Sequence, residues 1–408
     1  MTDQRSTNSP PPLTPSTPLV WLMAVACGLS VGGIYYAQPL LDLLARTFDV
    51  SSAAAASIVT VTQLGFVAGL VFLVPLGDFF NRRRLVPMVS VGACLSLACA
   101  AFAPGFYGFL LASFLIGLTS TAAQIMVPMA AHLAADDQRG AVVGRVMSGL
   151  LIGILLARAF SGLIADVAGW RAVFGCASVV LLVLAYLLHR VLPDTQATGE
   201  RMHYGRVLGS IAGLIVDEPV LRRRIVYGTL GFASFTIMWT TLPFLLAPAP
   251  YGYSETTIGL FSLLGAAGAI GASLAGRLHD GGRSQLGTAG FIVSALLAFV
   301  LMAALPHSLI ALVIGILLMD LGVQGVQILN QSMIYTLRPE ARSRITTAYM
   351  SCFFLGGAAG SLMAGVAYDI AGWPGAMTVA GVLEAAALVF WWTEPRRTAV
   401  ADTAATGQ

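Results

Sequence analysis

A stripe of polar side chains runs through an otherwise apolar stretch at residues 308–334. Its members are spaced by four, three and four residues and share one face of a helix: Asp320, Gln324, Gln327 and Gln331. Asp320 follows Pro306 by 14 residues, about 21 Å of helix, which places it well inside a bilayer. Because a charge there costs at least about 2.5 kcal/mol, such a residue usually faces a cavity or a partner. We expect Asp320 to bind protons and the glutamines to bind substrate; a hydrogen-bonded seam between helices is the alternative.

A second charge inside an apolar stretch is Arg158. It precedes Asp166 by eight residues, which is about 12 Å of helix. One interpretation is that its long stem carries the guanidinium out to the membrane surface. The other is that Arg158 acts together with Asp320, although the estimated depths of the two residues differ by about 9 Å. In that case burial and the approach of Arg158 or substrate would decide when Asp320 holds a proton.

Aromatic and amide side chains in other apolar stretches suit an amphipathic or sugar-like ligand. The candidates for substrate binding are Tyr35, Tyr36, Gln38, Gln124 and Trp239. Tyr and Trp near the ends of membrane helices are equally expected as interface anchors, so both interpretations stand. The five histidines lie near the ends of apolar stretches, and the five cysteines have no metal-site spacing. The sequence therefore predicts no catalytic residue, metal or cofactor.

The stretches that carry these residues are typical of membrane helices. Of 408 residues, 57% are hydrophobic and 10% are charged, whereas soluble domains have about 25% charged residues. Apolar blocks of about 20 residues, each long enough to span a bilayer, fall at 19–41, 53–76, 85–104, 107–130, 142–165, 172–191, 225–247, 256–278, 286–305, 308–334, 345–368 and 374–393. The sequence predicts an all-α integral membrane protein with twelve transmembrane helices.

The distribution of arginine predicts the orientation. All 22 basic residues are Arg, and the net charge of +3 does not favour nucleic acid as a partner. With both termini in the cytoplasm, 19 of the arginines lie on that side, as the positive-inside rule requires. The predicted divisions are a disordered tail (1–18), a six-helix bundle (19–191), a cytoplasmic inter-bundle loop (192–224), a second six-helix bundle (225–393) and a cytoplasmic tail (394–408).

The two predicted bundles are related by an internal repeat. A shift of 203 residues places 139–170 on 342–373 with nine of 32 positions identical, among them Gly169 on Gly372. The halves are therefore expected to be pseudo-symmetric around a central cavity, with a substrate site near the midplane. Arg158 falls on Ser361, and Gly117 falls on Asp320. Each half thus carries one buried charge that the other lacks.

The loop after the second stretch carries the most specific motif. It reads Gly-Asp-Phe-Phe-Asn-Arg-Arg-Arg at 77–84, and a degraded copy lies at 276–283. This loop resembles the signature loop of the major facilitator superfamily. The segments at 35–41, 62–65 and 320–324, with Asn330 and Gln331, resemble the arabinose-efflux-permease-like branch of its drug:proton antiporters.

The resemblance implies a gate at the cytoplasmic side. It assigns this role to Asp78, Arg82, Arg83 and Arg84, and to Asp280 and Arg283 of the second copy. Asp78 would meet the positive end of the eleventh helix when that side is closed; the alternative is that the arginines only fix the orientation. Ser113 stands where antiporters of this kind carry an arginine, which puts their standard proton-coupling scheme in doubt here.

Together these features predict a secondary transporter in a bacterial inner membrane, a monomer that moves a small molecule by alternating access. The expected function is proton-coupled export of a drug, sugar or metabolite. A proton-coupled importer of a nutrient remains an alternative within transport. A membrane sensor or intramembrane enzyme is the alternative from another class, although the loop 192–224 and both tails are short for a soluble output domain.

Overall fold

The computed structural model describes residues 17–135, 138–194, 204–338 and 341–394, and within these residues it is helical without a strand. The helices of the first half are α1 (Thr17–Gly32), α2 (Leu41–Phe48), α3 (Ser52–Phe72), α4 (Leu76–Phe79), α5 (Arg82–Ala101), α6 (Phe106–Thr119), α7 (Ala122–Leu133), α8 (Arg139–Ala168) and α9 (Trp170–Val191). The side chains of each long helix are almost wholly apolar, and the hydrogen bonds within the helix satisfy its backbone polar groups in a lipid environment.

The helices that follow are α10 (Tyr204–Asp217), α11 (Pro219–Leu246), α12 (Glu255–Leu260), α13 (Ala267–Asp280), α14 (Ser284–Ala304), α15 (Leu309–Ile334) and α16 (Arg342–Trp392). A 3₁₀ segment, Phe261–Ala266, joins α12 to α13 within one span. Backbone angles leave the helical region at Ala371 and Gly372, so α16 consists of two spans.

The described residues contain ten helical segments long and apolar enough to cross a membrane. The last of these segments, α16, contains two spans, and the shorter α1 adds one more. The total is twelve, which confirms the predicted count. Gly169 and Gly372, which the repeat superimposes, both have positive φ, at 80° and 60°. Gly169 turns the chain sharply between the fifth and sixth spans, and Gly372 does so between the eleventh and twelfth. At either position a side chain would strain the backbone.

Two boundaries differ from the sequence prediction. The first span was expected at 19–41, but α1 ends at Gly32, and a turn leads into a 3₁₀ helix, Gln38–Leu40. Pro39 within that segment cannot donate to a helical ladder, and two adjacent glycines at 32–33 weaken the helix before it. The predicted loop 192–224 contains α10 and the beginning of α11.

Glycines bring equivalent spans of the two halves together in the same way. A Cβ on Gly28 of α1 would lie 2.6 Å from the Gly149 carbonyl oxygen of α8. In the second half, a Cβ on Gly356 of α16 would lie 2.3 Å from the Thr229 carbonyl oxygen of α11. Such contacts let helix backbones approach closely in a membrane. The first and fifth spans, and the seventh and eleventh, therefore form matching pairs that position the residues between the halves.

Candidate functional site

Arg158 of α8 lies at the contact between the halves, not at the membrane surface. Its side chain is 3% exposed, and its Nε donates a 2.7 Å hydrogen bond to Oε1 of Gln38. The rings of Tyr35 and Trp239 lie against the guanidinium, with centroids 4.5 and 4.7 Å from its central carbon. Three spans therefore bring four predicted site residues together, and aromatic contacts of this kind stabilise a desolvated cation.

Asp320 of α15 is the second buried charge near this contact, with 2% of its surface exposed. It faces the 3₁₀ segment of the eighth span, where a Cβ on Gly265 would lie 3.5 Å from Oδ1. In the described part of the chain Arg158 and Asp320 form no ion pair within 4.0 Å, and neither Arg158 Nη2 nor Asp320 Oδ2 has a hydrogen-bond partner. The two charges are therefore unpaired, and each keeps a free bonding position.

The rest of the polar stripe divides between two environments. Gln327 accepts a 2.5 Å hydrogen bond from the Tyr349 hydroxyl, which also accepts one at 3.2 Å from Asn330. This network joins the tenth and eleventh spans, as the seam alternative predicted. Gln324 instead packs over Gly268 of α13, and Gln331 is half-buried.

Gln124 lies away from Arg158, in a cleft of about 490 Å³ at the end of the molecule that carries the arginine clusters. We call this end the inner end and the opposite one, with Asp166 and Asp369, the outer end. Both halves line the cleft: the first contributes Arg82 and Gln124, and the second contributes Arg344. The other predicted substrate residue, Tyr36, is buried in the first span, where its carbonyl oxygen accepts from the Ser161 hydroxyl at 2.6 Å.

The residues predicted to form a gate lie at the inner end. Arg82 donates from Nε to the Gly77 carbonyl oxygen at 2.9 Å. Arg83 is half-buried, whereas Arg84, Asp280 and Arg283 are exposed. The side chain of Asp78 lies outside what the structure describes.

Two aspartates at the outer end bind helix N-termini across the halves. Asp166 accepts from the backbone nitrogens of Glu255 (3.2 Å) and Thr256 (2.9 Å) at the start of α12. Asp369 accepts from the nitrogen of Ala53 (3.2 Å) at the start of α3. A carboxylate at a helix N-terminus is favoured by the free N–H groups and the helix dipole. We call Asp166, Asp369 and these two N-termini the outer latch.

Sequence reasoning missed the outer latch, although the repeat contains its signal. Asp166 and Asp369 are one of the nine identical pairs, and the helix caps Ser51 and Ser254 are also 203 residues apart. An acid at the end of one span and a serine cap at the start of another, both repeated at one shift, would have indicated two equivalent contacts.

Glycines allow close contact between the two halves at the outer end. A Cβ on Gly162 would lie 2.0 Å from the Glu255 carbonyl oxygen, and one on Gly365 would lie 2.5 Å from the Ala53 Cα. Below them, the hydroxyls of Thr60 and Ser361 lie 2.7 Å apart across the halves. The halves are therefore joined at the outer end and separated by the cleft at the inner end, which is an inward-facing arrangement if the arginine-rich end is cytoplasmic.

Glu384 of the twelfth span lies outside both the central site and the outer latch. It is 2% exposed, and its Oε1 lies 2.5 Å from the Ser234 hydroxyl of α11. That hydroxyl is also 2.8 Å from the Gly231 carbonyl oxygen. The contact joins the seventh and twelfth spans within the second half.

Comparisons with known proteins agree with this architecture. The chain matches the Major Facilitator Superfamily over residues 20–286 and 229–408. It is 45% identical over 377 residues to the transporter YgaY of Escherichia coli O157:H7, covering 92% of this chain and 95% of that protein. It is 34% identical to the transporter SCO4007 of Streptomyces coelicolor, over 91% of this chain and 85% of the relative.

A solved structure shares the fold. It is the bacterial homologue of the lysosomal transporter Spinster in an inward-facing, unoccupied conformation, with a TM-score of 0.74 and 14% identity. The match covers 91% of this chain and 95% of the other. Twelve spans, an internal repeat and relatives named as transporters lead to one conclusion: the chain is a multi-pass transporter that belongs to the major facilitator superfamily.

Proposed function

We propose that the protein is a proton-coupled exporter of a small organic solute that works by alternating access. The observation that carries the proposal is the pair of buried, unjoined charges at Arg158 and Asp320, which lies where the two halves meet. Charged residues inside a membrane are costly and usually serve a transport or proton pathway. The resemblance to drug:proton antiporters supports export, with a bacterial inner membrane as the location.

In the proposed cycle, Asp320 exchanges a proton for substrate. When Asp320 is charged, Arg158 is its natural counter-ion, and a polar substrate can bind between the two. Protonation of Asp320 removes one binding partner from the substrate and weakens its binding. Proton and substrate would then occupy the site in turn, which is the requirement for antiport.

The two ends of the protein would alternate as gates between the six-helix halves 19–191 and 225–393. In the arrangement described above, the outer latch is closed. We propose that the opposite state releases Asp166 and Asp369 from their helix N-termini. The loop with Asp78 and the arginines 82–84 would then approach the beginning of α16, where Arg342 and Arg344 lie.

The test is transport in cells and in proteoliposomes. Untargeted comparison of exported and retained metabolites between a deletion strain and an overexpressing strain should identify a solute that accumulates inside the deletion strain. A protonophore should abolish its export. With the purified protein, an imposed pH gradient should drive the solute, and Asp320→Asn should remove that dependence, whereas the exposed control Asp217→Asn should not.

Two outcomes would contradict the proposal. Export that continues unchanged after the proton gradient collapses would refute coupling. Retention of a solute by the overexpressing strain, with uptake driven by the gradient, would favour the importer instead.

A further inference from the structure

The guanidinium of Arg158 is held so that one hydrogen-bonding edge remains for a ligand. The rings of Tyr35 and Trp239 lie against it, with centroids 4.5 and 4.7 Å from its central carbon, and its Nε donates to Gln38. Nη2 is buried and has no partner in the described residues. A planar guanidinium with a free edge recognises carboxylates, because its N–H groups match the two carboxylate oxygens.

The seventh span, which contributes Trp239 to this site, carries further open donors. The indole nitrogen of Trp239 and the hydroxyls of Thr236 and Thr240 are also buried without a partner. These residues are spaced by three and one, so Trp239 and Thr240 each share a helix face with Thr236. Buried polar groups are normally hydrogen-bonded, and a cluster of open ones indicates a ligand site. A neutral apolar solute would leave every one of these groups unsatisfied.

Asp320 is an acceptor, whereas Arg158 is a donor. Its Oδ2 is buried and can only accept while the carboxylate is charged. A protonated amine is the group that satisfies it best, through a charge-assisted hydrogen bond. A ligand with both a carboxylate and an ammonium group would join the two charges and leave the buried site neutral, so no net charge would enter the membrane.

A narrow pocket adjoins the guanidinium of Arg158. Its remaining wall is mostly apolar: Pro39, Leu242, Pro243 and Ile258. An apolar wall of this kind favours a small apolar group.

We propose that the site binds a small zwitterion of the α-amino acid type, with its carboxylate on Arg158, its ammonium group on Asp320 and an apolar side chain in the adjoining pocket. This inference rests on the proposed function and names its substrate class. It also accounts for the exchange of a proton for substrate, because a proton on Asp320 removes the negative charge that binds the ammonium group.

The test is ligand binding to the purified full-length protein. Thermal unfolding is measured with each of the common L-amino acids, and the dissociation constant is then measured for the one that stabilises most. Two analogues of that amino acid, one without the amine and one without the carboxylate, serve as matched probes. We expect the intact amino acid to bind at least tenfold more tightly than either analogue.

Variants assign the two ends of the ligand. Asp320→Asn should bring the dissociation constants of the amino acid and its amine-free analogue within about twofold of each other. Arg158→Gln should weaken binding of the amine-free analogue at least tenfold, and the exposed control Asp217→Asn should change nothing. If Arg158→Gln fails to fold, the analogue ratio in Asp320→Asn still decides the assignment.

The inference would be overturned if no amino acid stabilises the protein, or if the amine-free analogue binds the unaltered protein as tightly as the amino acid. A neutral sugar or nucleoside as exported solute, with export still dependent on Asp320, would overturn the zwitterion and leave the proton-coupled exporter standing. Amino acid binding without any response of transport to a pH gradient would overturn the proton-coupled exporter and leave the zwitterion site standing.

Discussion

Replacing Asp166 with Asn should shift the protein toward a state that is open at the outer end. Asp166 accepts two backbone hydrogen bonds from the start of α12, whereas Asp369 accepts one from the start of α3. Asn keeps the size of the side chain but removes the charge that the helix N-terminus favours. Its amide oxygen can still accept one of the two N–H groups, but its amide nitrogen cannot accept the other, and this lowers the cost of opening.

The size of the shift follows from these contacts. A carboxylate at a helix N-terminus contributes about 0.3–1 kcal/mol when exposed, and both aspartates are exposed. We therefore expect about 1 kcal/mol from Asp166 and about 0.5 kcal/mol from Asp369. Since about 1.4 kcal/mol is a tenfold change, Asp166→Asn should raise the open population roughly fivefold and the double variant roughly tenfold. The two contacts share no residues, so their effects should add.

A cysteine at position 361 can report the opening. Ser361 is fully buried and lies across the halves from Thr60, below the outer latch. In a background without the five native cysteines, the rate at which a membrane-impermeant maleimide labels Ser361→Cys should follow the open population. Labelling should accelerate in the order Asp369→Asn, Asp166→Asn, double variant. Equal rates in all of these and in the exposed control Asp217→Asn would refute the assignment of the latch.

Three further predictions concern other positions. Asp320→Asn should abolish accumulation driven by a pH gradient and raise the substrate concentration needed to half-saturate exchange, since Asn imitates the protonated acid, which binds substrate weakly; accumulation that still follows the pH gradient in the folded variant would refute the proton role of Asp320. Glu384→Gln should leave the unfolding temperature and transport unchanged. The single hydroxyl proton of Ser234 cannot be donated fully to both the Gly231 carbonyl oxygen and Glu384, so a neutral side chain at position 384 fits this contact. A marked loss of transport would show that Glu384 must ionise. Gly162→Val should trap the protein open at the outer end, since a Cβ there would meet the Glu255 carbonyl oxygen, and faster labelling at position 361 would report it; Gly140→Ala, which has open space, is the control.

Most of the fold could be predicted because a membrane limits the possible structures. Every span must be helical and about 20 apolar residues long, so hydropathy is enough to count spans. The repeat then relates the halves without any knowledge of contacts. The early end of α1 at Gly32 was not predicted, because Gly, Tyr and Pro at 32–39 are apolar enough to continue a hydropathy block. Hydropathy measures transfer from water and does not detect where a helical ladder is interrupted.

The sequence singled out the residues of the candidate site, but it predicted only some of the contacts between them. Burial of charge singled out Arg158 and Asp320 from sequence alone. That Gln38 would bind Arg158 depends on the turn after α1, which carries the amide toward α8. The spacing of Asp320, Gln324 and Gln327 places them on one face, yet that face is broad enough to meet the eighth and eleventh spans at once. Spacing therefore identified the face but not its separate neighbours.

The asymmetry between the halves has a packing cause. Under the repeat, Thr62 and Gly117 of the first half fall on Gly265 and Asp320 of the second. A Cβ on Gly117 would lie 1.9 Å from the Thr62 carbonyl oxygen, so that position accepts no side chain. In the second half the glycine lies on the opposite helix, within a 3₁₀ segment, and leaves room for a carboxylate.

The exchange of one glycine between facing helices thus decides which half carries the acid. It also explains how two homologous halves can share a symmetric latch and an asymmetric charge pair. The latch lies at span ends, where both copies have the same helix termini to bind. Asp320 lies at mid-span, where the space left by a single glycine determines what each copy can hold.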